Sequence, residues 1–230
     1  MKSSKITLAL RKSFLFPYFL AIREFSRSFR NVDFTQFGEQ EIIRQLIPQG
    51  NGTFLDIGAG RPNSGNNTYF LYKKGWSGIL VDPIRANCIL SRLVRRRDLC
   101  VNAIVGKNER TRFFEFFPYE FSTTSSRVAS KVSKDFDYVE LISEYEIEGL
   151  TAASLYTKLP KNTFVFLSID TEGSDYEALE SLDLRVNQPN LICIEEWDFE
   201  SGSATKVSEL LFQHGYKLMA RAGLSSFYMK

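Results

Sequence analysis

A regular alternation of short apolar runs and helical patterns, beginning at residue 53, constrains the fold more than any other feature of this sequence. The apolar runs are rich in β-branched and aromatic residues, which is typical of strands. Strands that alternate with helices pack as a mostly parallel sheet with helices on both faces. The run Thr163–Ile169 is almost wholly apolar, as expected of a central strand buried on both sides. The sequence therefore predicts one α/β domain with a seven-stranded sheet.

The predicted elements follow one another closely along the chain. The predicted strands are Thr53–Ile57, Gly78–Asp82, Leu99–Val105, Thr111–Phe117, Val139–Ile147, Thr163–Ile169, Leu191–Ile194 and a terminal hairpin of Tyr216–Ala220 with Ser225–Met229. The predicted helices are Asn67–Lys74, Ile84–Arg97, Thr151–Lys158, Ser174–Ser181 and Ala204–His214. Pro118–Phe136 is predicted to be a long polar loop, and such loops in compact domains are often functional.

Composition excludes several classes of protein. With 43% apolar and 24% charged residues, the chain can bury an ordinary globular core. A net charge of +2 provides no global field for nucleic acid. The cysteines Cys88, Cys100 and Cys193 are odd in number and widely spaced, which favours reduced core thiols in a cytosolic protein. A crowded set of arginines is predicted to be a solvated helix end. The set is Arg92, Arg95, Arg96 and Arg97.

Residues 1–32 form a basic, aromatic N-terminal arm that is predicted to be helical and separate from the domain at 33–230. Neither Ile6–Leu10 nor Phe14–Ile22 reaches the roughly 20 residues needed to span a bilayer. Two interpretations stay open: the arm packs on the domain or on a partner, or it lies on a membrane surface. A signal peptide fits less well, because Arg11 and Lys12 interrupt the apolar region.

The segment Phe54–Gly60 is the strongest local signal, a strand that runs into glycines before a helix. Glycines let the backbone approach a ligand closely, and the first N–H groups of the helix are open to it. Asp82 ends the next strand, where a carboxylate can accept both hydroxyls of a ribose. No glycine occupies the third place of the dinucleotide fingerprint within Arg61–Gly65, which disfavours a nicotinamide enzyme. The pattern suits a nucleoside without pyrophosphate, of which S-adenosylmethionine is the commonest.

Four segments, in the same order, resemble the FkbM family of methyltransferases. They are Phe34–Gln40, Thr53–Gly60 continuing to Asn67–Phe70, Gly75–Pro83 and Leu167–Tyr176. The resemblance covers residues 33 to 197; Arg61–Asn63 departs from the family pattern, and Asp82 stands where Glu is frequent. The resemblance implies a Rossmann-like class I methyltransferase fold, binding of S-adenosylmethionine, and O-methylation of a hydroxyl, often on a sugar or polyketide.

The resemblance also implies a set of cofactor-binding residues. Asp56 lies near the methionine amino group in this scheme, and Asn102 and Ala103 lie near the adenine. Gln36 and Glu39 are expected close to the methionine end. The complete predicted set is Gln36, Glu39, Asp56, Gly58, Gly60, Asn67, Thr68, Asp82, Asn102 and Ala103.

Four carboxylates follow two neighbouring buried strands, and all are expected at the same sheet edge as the cofactor. They could share a proton and act as a base, orient the acceptor hydroxyl, hold Mg²⁺, or bond to nearby N–H groups of the loop and helix. The predicted catalytic residues are Asp170, Glu172 and Glu195. The predicted metal ligands are Asp170, Glu195 and Glu196.

Two rival functions stay open beside the methyltransferase: a catalytically silent binding or assembly subunit, and a nucleotide-dependent oxidoreductase. His214 is predicted to favour a helix dipole rather than catalysis. Trp197 is predicted either to stack on a sugar or to pack in the core. The expected partner is a small-molecule or glycan acceptor, not nucleic acid. Peripheral membrane contact through the arm, a location in the cytoplasm at the inner membrane face, and homo-oligomers belong to the same prediction.

Overall fold

A computed structural model describes residues 34–196 and 205–230, together with Ser13, Pro17, Tyr18, 20–22 and Glu24. Apart from those few positions, the predicted N-terminal arm lies outside the described residues. Trp197 and Ala204 lie outside them as well. Within the part of the chain that the structure describes, no helix is long and apolar enough to cross a membrane.

The elements alternate between strands and helices, as the sequence predicts. From residue 34 onward they are α1 (Glu39–Leu46), β1 (Thr53–Ile57), α2 (Tyr69–Lys73), β2 (Ser77–Val81), α3 (Arg85–Val94), β3 (Leu99–Val101), β4 (Ile104–Val105), β5 (Thr111–Phe117), a 3₁₀ turn (Tyr119–Phe121), α4 (Ser126–Asp135), β6 (Glu140–Ile147), β7 (Gly149–Leu150), α5 (Ala152–Tyr156), β8 (Val165–Ile169), α6 (Asp175–Glu180), β9 (Leu191–Glu195), α7 (Lys206–Gln213), β10 (Lys217–Ala222) and β11 (Ser225–Met229).

The main sheet has seven strands in the order β3-β2-β1-β8-β9-β11-β10. Neighbouring strands are parallel from β3 to β9, and β11 is antiparallel to both of its neighbours. The chain reverses direction at β1, since β2 and β3 lie on one side and β8 and β9 on the other. In open α/β sheets, ligands bind at the carboxyl ends of the strands beside such a reversal. The predicted seven-stranded, mostly parallel sheet is confirmed.

Helices cover both faces of the sheet, because successive strand residues point to opposite sides. On one face, Phe54 packs in a core with residues of α1, α2 and α3. On the other face, Leu55 and Ile57 pack with residues of α5, α6 and α7. All five residues of β1 are buried, as expected of a strand between two helical layers.

The predicted strand Leu99–Val105 is divided in two. After β3 the chain leaves the main sheet, and β4 pairs instead with β7. The side chain of Asn102 explains the break, because its Nδ2 donates hydrogen bonds to the carbonyls of Asp82 and Pro83, at 2.9 and 2.7 Å. The side chain thus bridges to the end of β2 at the point where β3 ends.

The prediction of a long loop at Pro118–Phe136 is wrong, because this segment contains the 3₁₀ turn and the helix α4. Ser125 caps α4 by accepting a hydrogen bond from the Val128 backbone N–H at 3.3 Å. Only Ala129 and Val132 of the helix are buried. They pack against the separate β5–β6 hairpin. A helix that covers one side of a hairpin needs so narrow an apolar stripe that its sequence appears polar.

The four arginines at the end of α3 differ in their exposure, contrary to the prediction. Arg92, Arg96 and Arg97 are exposed, whereas Arg95 is completely buried. Helix α3 ends at Val94, and Arg95 adopts a non-helical backbone conformation (φ −119°, ψ 63°), which carries its side chain out of the helical series. The prediction of a solvated helix end is therefore wrong for Arg95. The three cysteines are buried and unbridged, as predicted.

Candidate active site

A cavity of about 600 Å³ opens where β1, β2 and β8 end. One part of its wall is the glycine turn after β1 and the end of β2. The residues after β8 form the adjacent part, and β5 with the segment that follows it closes a third side. The volume lies within the range typical of small-molecule sites.

Gly58 joins the three strand ends. Its backbone has φ +78°, and a Cβ at this position would lie 1.6 Å from the carbonyl oxygen of Asp170. The Gly58 N–H donates to the Val81 carbonyl at 2.9 Å, and the Asp170 N–H donates to the Ile57 carbonyl at 2.9 Å. Only glycine fits a left-handed position in such close contact with another backbone.

Asp82 lies at the end of β2 and lines the cavity. Its Oδ2 accepts a hydrogen bond from the Gly60 N–H at 2.7 Å. Its Oδ1 accepts hydrogen bonds from the Ile84 N–H at 2.7 Å and from Asn87 Nδ2 at 3.2 Å. Burial raises the pKa of Asp82 to about 7, although the backbone donors Ile84 and Gly60 oppose the shift. The carboxylate therefore faces the cavity in a fixed orientation and titrates near neutrality.

Asp56 and Thr68 support the glycine turn and are not among the described residues that line the cavity. The Thr68 hydroxyl donates to Asp56 Oδ2 at 2.6 Å, and Asn66 Nδ2 donates to the same oxygen at 3.2 Å. Burial raises the pKa of Asp56, and the nearby Arg95 guanidinium opposes the shift. The structure thus separates these two predicted cofactor residues from the others and places them in a buried polar network.

The predicted residues of the methionine end come together around a second, small pocket of about 20 Å³, large enough for one water molecule. Its walls include Gln36, Glu39 and Asn67 on one side and Asp170 and Glu195 on the other. Glu39 is oriented by hydrogen bonds from the Phe37 N–H at 2.7 Å and the Ser225 hydroxyl at 3.3 Å.

Of the two predicted adenine residues, Ala103 lines the large cavity, and Asn102 is not among the described residues that line it. Asn102 holds the backbone carbonyls of the Asp82–Pro83 turn. The predicted cofactor residues other than Asp56, Thr68 and Asn102 therefore form a strip that lines the large cavity and the small pocket.

The three predicted catalytic carboxylates form a cluster. Asp170, Glu172 and Glu195 each contribute an oxygen atom, and these atoms lie within 4.8 Å of one another. Burial raises the pKa of Asp170 to about 8, and the charges of Glu195 and Glu172 shift it in the same direction. At neutral pH the cluster accordingly retains a proton on Asp170, beside the cavity.

Glu196 requires a correction, because the structure directs it away from this cluster. Its Oε2 accepts a hydrogen bond from the Tyr228 hydroxyl at 2.7 Å, and its Oε1 accepts one from the Thr205 hydroxyl. Glu195 and Glu196 are consecutive in an extended segment, so their side chains point to opposite sides. The predicted ligand set Asp170, Glu195 and Glu196 is not assembled, and Glu172 takes the place of Glu196.

Sequence reasoning missed the wall that faces the carboxylates. Residues of β5 and of the segment between β5 and β6 line the cavity there. They are Thr111, Phe113, Tyr119, Glu120, Ser122, Thr123 and Thr124. Their only sequence signal was the position of a long polar segment between two strands. His214 ends α7 with its Nδ1 2.9 Å from the Leu210 carbonyl oxygen, in keeping with its predicted helix-end role.

Solved structures that resemble this chain include two methyltransferases. One is a TehB-like SAM-dependent methyltransferase from Corynebacterium glutamicum, with 13% identity and a TM-score of 0.44, covering 93% of this chain and 96% of that one. The other is a precorrin-6y C5,15-methyltransferase from Geobacter metallireducens, with 14% identity and a TM-score of 0.40, covering 81% of this chain and 82% of that one. Likenesses this distant carry no information on substrate. No curated protein matches the sequence.

The order of the sheet and the glycine turn at the end of β1 define a Rossmann-like fold of the class I methyltransferase type. The family model described as "Methyltransferase FkbM domain" matches residues 56–218, which is more than half of the chain. The protein therefore belongs to the FkbM family of methyltransferases, and S-adenosylmethionine is its methyl donor.

Proposed function

We propose that this protein is an O-methyltransferase that acts on a hydroxyl of a sugar, a glycan or a secondary metabolite. One observation supports the proposal above all: a single cavity joins the glycine turn and Asp82 to the proton-retaining cluster around Asp170. The first end suits the adenosyl part of the methyl donor, and the second suits the hydroxyl that receives the methyl group.

The cofactor is proposed to lie along the strip of predicted residues. A carboxylate has about four lone-pair sites, and Asp82 uses three of them, so one site remains for a ribose hydroxyl. Gly58 and Gly60 lie beneath the amino acid moiety, with Asn67 and Gln36 beside it. The sulfonium is then placed between Asp82 and Asp170, facing the third wall of the cavity.

Asp170 is proposed to accept the proton of the acceptor hydroxyl. In the reaction the acceptor oxygen forms a bond to the methyl carbon, the carbon–sulfur bond breaks, and its electron pair stays on sulfur to give S-adenosylhomocysteine. Most of the acceleration is expected from holding oxygen, methyl and sulfur in line. A base with a pKa of about 8 is well matched to taking the proton as the oxygen attacks.

The charges of the cavity favour a neutral acceptor. Six carboxylates and two cations, Arg61 and Lys107, are among its described lining residues. A phosphate or carboxylate group on the acceptor would meet like charges there, which disfavours its binding. An uncharged polyhydroxylated compound meets no such repulsion, because carboxylates accept hydrogen bonds from hydroxyl groups.

Magnesium is a second proposal for the cluster at Asp170, Glu172 and Glu195, since carboxylate oxygens are ligands that this ion prefers. Bound there, it would acidify the acceptor hydroxyl. Transfer measured with MgCl₂ and with EDTA separates the two proposals, because a carboxylate base needs no added ion.

Calorimetric titration with S-adenosylhomocysteine tests cofactor placement. We expect wild-type protein to bind, and Asp82→Ala to bind about 10- to 100-fold more weakly through loss of hydrogen bonds to a charged group. Asp137→Ala is the matched control, because Asp137 is exposed and does not line the cavity. Wild-type protein that binds no adenosyl ligand would favour the silent binding or assembly subunit instead.

The same titration is expected to depend on pH. Ionised Asp82 is the better acceptor for ribose hydroxyls, and its pKa is about 7. The affinity for S-adenosylhomocysteine should therefore rise about tenfold between pH 6 and pH 8. Asp82→Asn should bind weakly at both pH values, with this rise absent. An unchanged pH dependence in Asp82→Asn would assign it to another group.

A screen with deuterated-methyl S-adenosylmethionine tests the acceptor class. We expect label to appear by mass spectrometry on neutral glycosides and not on matched uronic acids or sugar phosphates. Preferential labelling of the anionic compounds would refute the charge argument, and labelling of amines would refute O-methylation.

A cytoplasmic location at the inner membrane face is also proposed, from the basic and aromatic character of the N-terminal arm. Flotation with anionic liposomes tests it with full-length protein and with a chain that lacks residues 1–30. The full-length chain should float and the shortened chain should not. If both remain in the soluble fraction, the arm has another role.

A further inference from the structure

The β5–β6 hairpin forms a hydrogen bond to the turn that follows β2, beside the cavity. The Tyr145 hydroxyl, on β6, donates a hydrogen bond to the Pro83 carbonyl at 2.9 Å. Pro83 directly follows Asp82, and its carbonyl also accepts a bond from Asn102 Nδ2 at 2.7 Å. The backbone that presents Asp82 to the cavity is thus held from β3 on one side and from the hairpin on the other.

Glu115, on β5, is nine-tenths buried and completes the arrangement behind Tyr145. Its Oε2 accepts a hydrogen bond from the Ser143 hydroxyl at 3.1 Å and lies 3.2 Å from the Tyr145 hydroxyl oxygen. Tyrosine has one hydroxyl proton, and the Pro83 carbonyl can only accept. The Tyr145 hydroxyl therefore lies between two acceptors, the Pro83 carbonyl and Glu115 Oε2, and donates to one of them at a time. Burial raises the pKa of Glu115, and the hydrogen bonds that its carboxylate accepts from Ser143 and Tyr145 oppose the shift.

Apolar contacts surround the same bond. The ring of Tyr145 lies 5.6 Å from that of Phe113, measured between centroids. Phe113 forms a small buried cluster with Ile84 and Ile147, against which Tyr145 packs. Phe113 and Ile84 both line the cavity, the former from the hairpin and the latter from the turn after Asp82. One cluster therefore connects the proposed acceptor wall with the proposed ribose site.

We propose that Tyr145 is a positioning residue that couples the acceptor wall to the cofactor site. A nucleoside bound at Asp82 fixes the Asp82–Pro83 turn, and the Tyr145 hydrogen bond then restrains the hairpin. By reciprocity, an ordered hairpin favours cofactor binding by the same free energy. The inference rests on the proposed function in one respect, that the adenosyl ligand binds at Asp82.

Hydrogen exchange of the full-length protein, with and without S-adenosylhomocysteine, measures this coupling. In wild type the ligand is expected to slow amide exchange both in the glycine turn and in the hairpin at 111–147. Tyr145→Phe keeps the ring and loses the hydroxyl. This variant should keep the ligand-induced protection at the glycine turn and lose it at the hairpin. It should also bind S-adenosylhomocysteine at least about fivefold more weakly than wild type.

Tyr176→Phe is the matched control, because the Tyr176 hydroxyl bonds at the surface to Glu180 at 3.1 Å. This variant should behave as wild type. A second pair of variants does not alter the tyrosine: Glu115→Gln keeps an acceptor oxygen beside Tyr145 and should retain hairpin protection, whereas Glu115→Leu should lose it. A merely structural role would lower thermal stability in the tyrosine and leucine variants but leave the ligand-induced protection intact.

The outcomes separate the coupling from the proposed function. Wild type that binds S-adenosylhomocysteine without slower exchange in the hairpin overturns the coupling and leaves the cofactor site in place. Tyr145→Phe with wild-type hairpin protection overturns it equally. Wild type that binds no S-adenosylhomocysteine overturns both, since the coupling begins at Asp82.

Discussion

Replacing Arg95 by methionine is expected to lower the free energy of unfolding by about 3–5 kcal/mol, the cost of breaking a buried ionic network at one partner. The guanidinium is completely buried and satisfied on every side. Its Nε donates to Asp98 Oδ2 at 2.7 Å, and the side chains of both residues are inaccessible. Its two terminal nitrogens donate to Asn66 Oδ1 and to the Thr68 hydroxyl, each at 3.0 Å.

Methionine retains much of the apolar stem but leaves Asp98 and Asp56 buried without their cation. Lysine keeps the charge yet cannot form the fork that reaches Asp98, Asn66 and Thr68 together, so Arg95→Lys should fall between wild type and methionine. The measurement is unfolding in guanidinium chloride followed by tryptophan fluorescence. Arg96→Met is the matched control, because Arg96 is the next residue and is exposed. Equal losses for Arg95→Met and Arg96→Met would contradict the buried network.

Arg95 also shows where sequence reasoning reaches its limit. A run of arginines at the end of a helix is usually solvated, and three of the four are exposed. The fourth is buried because the helix ends one residue earlier, and because Phe54, Tyr69 and Tyr72 provide ring faces 5.2 to 5.8 Å from its guanidinium. These rings come from β1 and α2, so the environment exists only after the fold has formed.

The main sheet could be predicted because each of its strands carries its own signal. Runs such as 165–169 are apolar throughout, and the glycine turn after β1 has a conformation that few residues other than glycine adopt. The overall polarity of α4 concealed it, since Ala129 and Val132 are its only buried residues among ten, although their spacing of three is helical. Element type was thus predictable where burial is two-sided and not where a helix covers a small hairpin.

Some residues of the candidate site could likewise be predicted from the sequence, and others could not. Residues that follow strand ends, such as Asp82 and Asp170, could be assigned to one edge from topology alone. The grouping of Glu196 with Glu195 could have been avoided, because consecutive side chains of an extended segment point to opposite sides. Tyr145 and Glu115 gave no signal, because their significance depends on how an inserted hairpin docks on Pro83.

Asp170→Asn is expected to affect activity and stability in opposite directions. The pKa of Asp170 is about 8 in the folded protein, against an ordinary value of 3.8. The folded state therefore holds a proton that the unfolded state has released, so the contribution of this group to stability falls as pH rises from about 4 to about 8. Asparagine cannot ionise, and the variant should be more stable than wild type at pH 9.

We expect a gain of about 2 kcal/mol at pH 9, much less than the full pKa difference implies, because Asp170 is partly exposed to the cavity and solvent screens its charge. At pH 4 the two proteins should be nearly equally stable. Methyl transfer to an acceptor found in the screen should fall by about 10²- to 10⁴-fold, the usual loss of a general base. Calorimetric unfolding at the two pH values and a rate assay measure both effects.

The wild-type rate should rise with pH and level off above about 8, where Asp170 is ionised. Glu195→Gln removes a like charge that raises this pKa, so its rate should level off at a lower pH. Glu177→Gln is the control, since Glu177 lines the cavity but lies outside the carboxylate cluster.

An Asp170→Asn variant that is less stable than wild type at pH 9 would indicate that the carboxylate mainly supports the loop after β8. One that is more stable yet fully active would place the base elsewhere in the cavity. The proposed mechanism requires both changes together, because the burial that makes Asp170 costly to ionise also makes it a base near neutral pH.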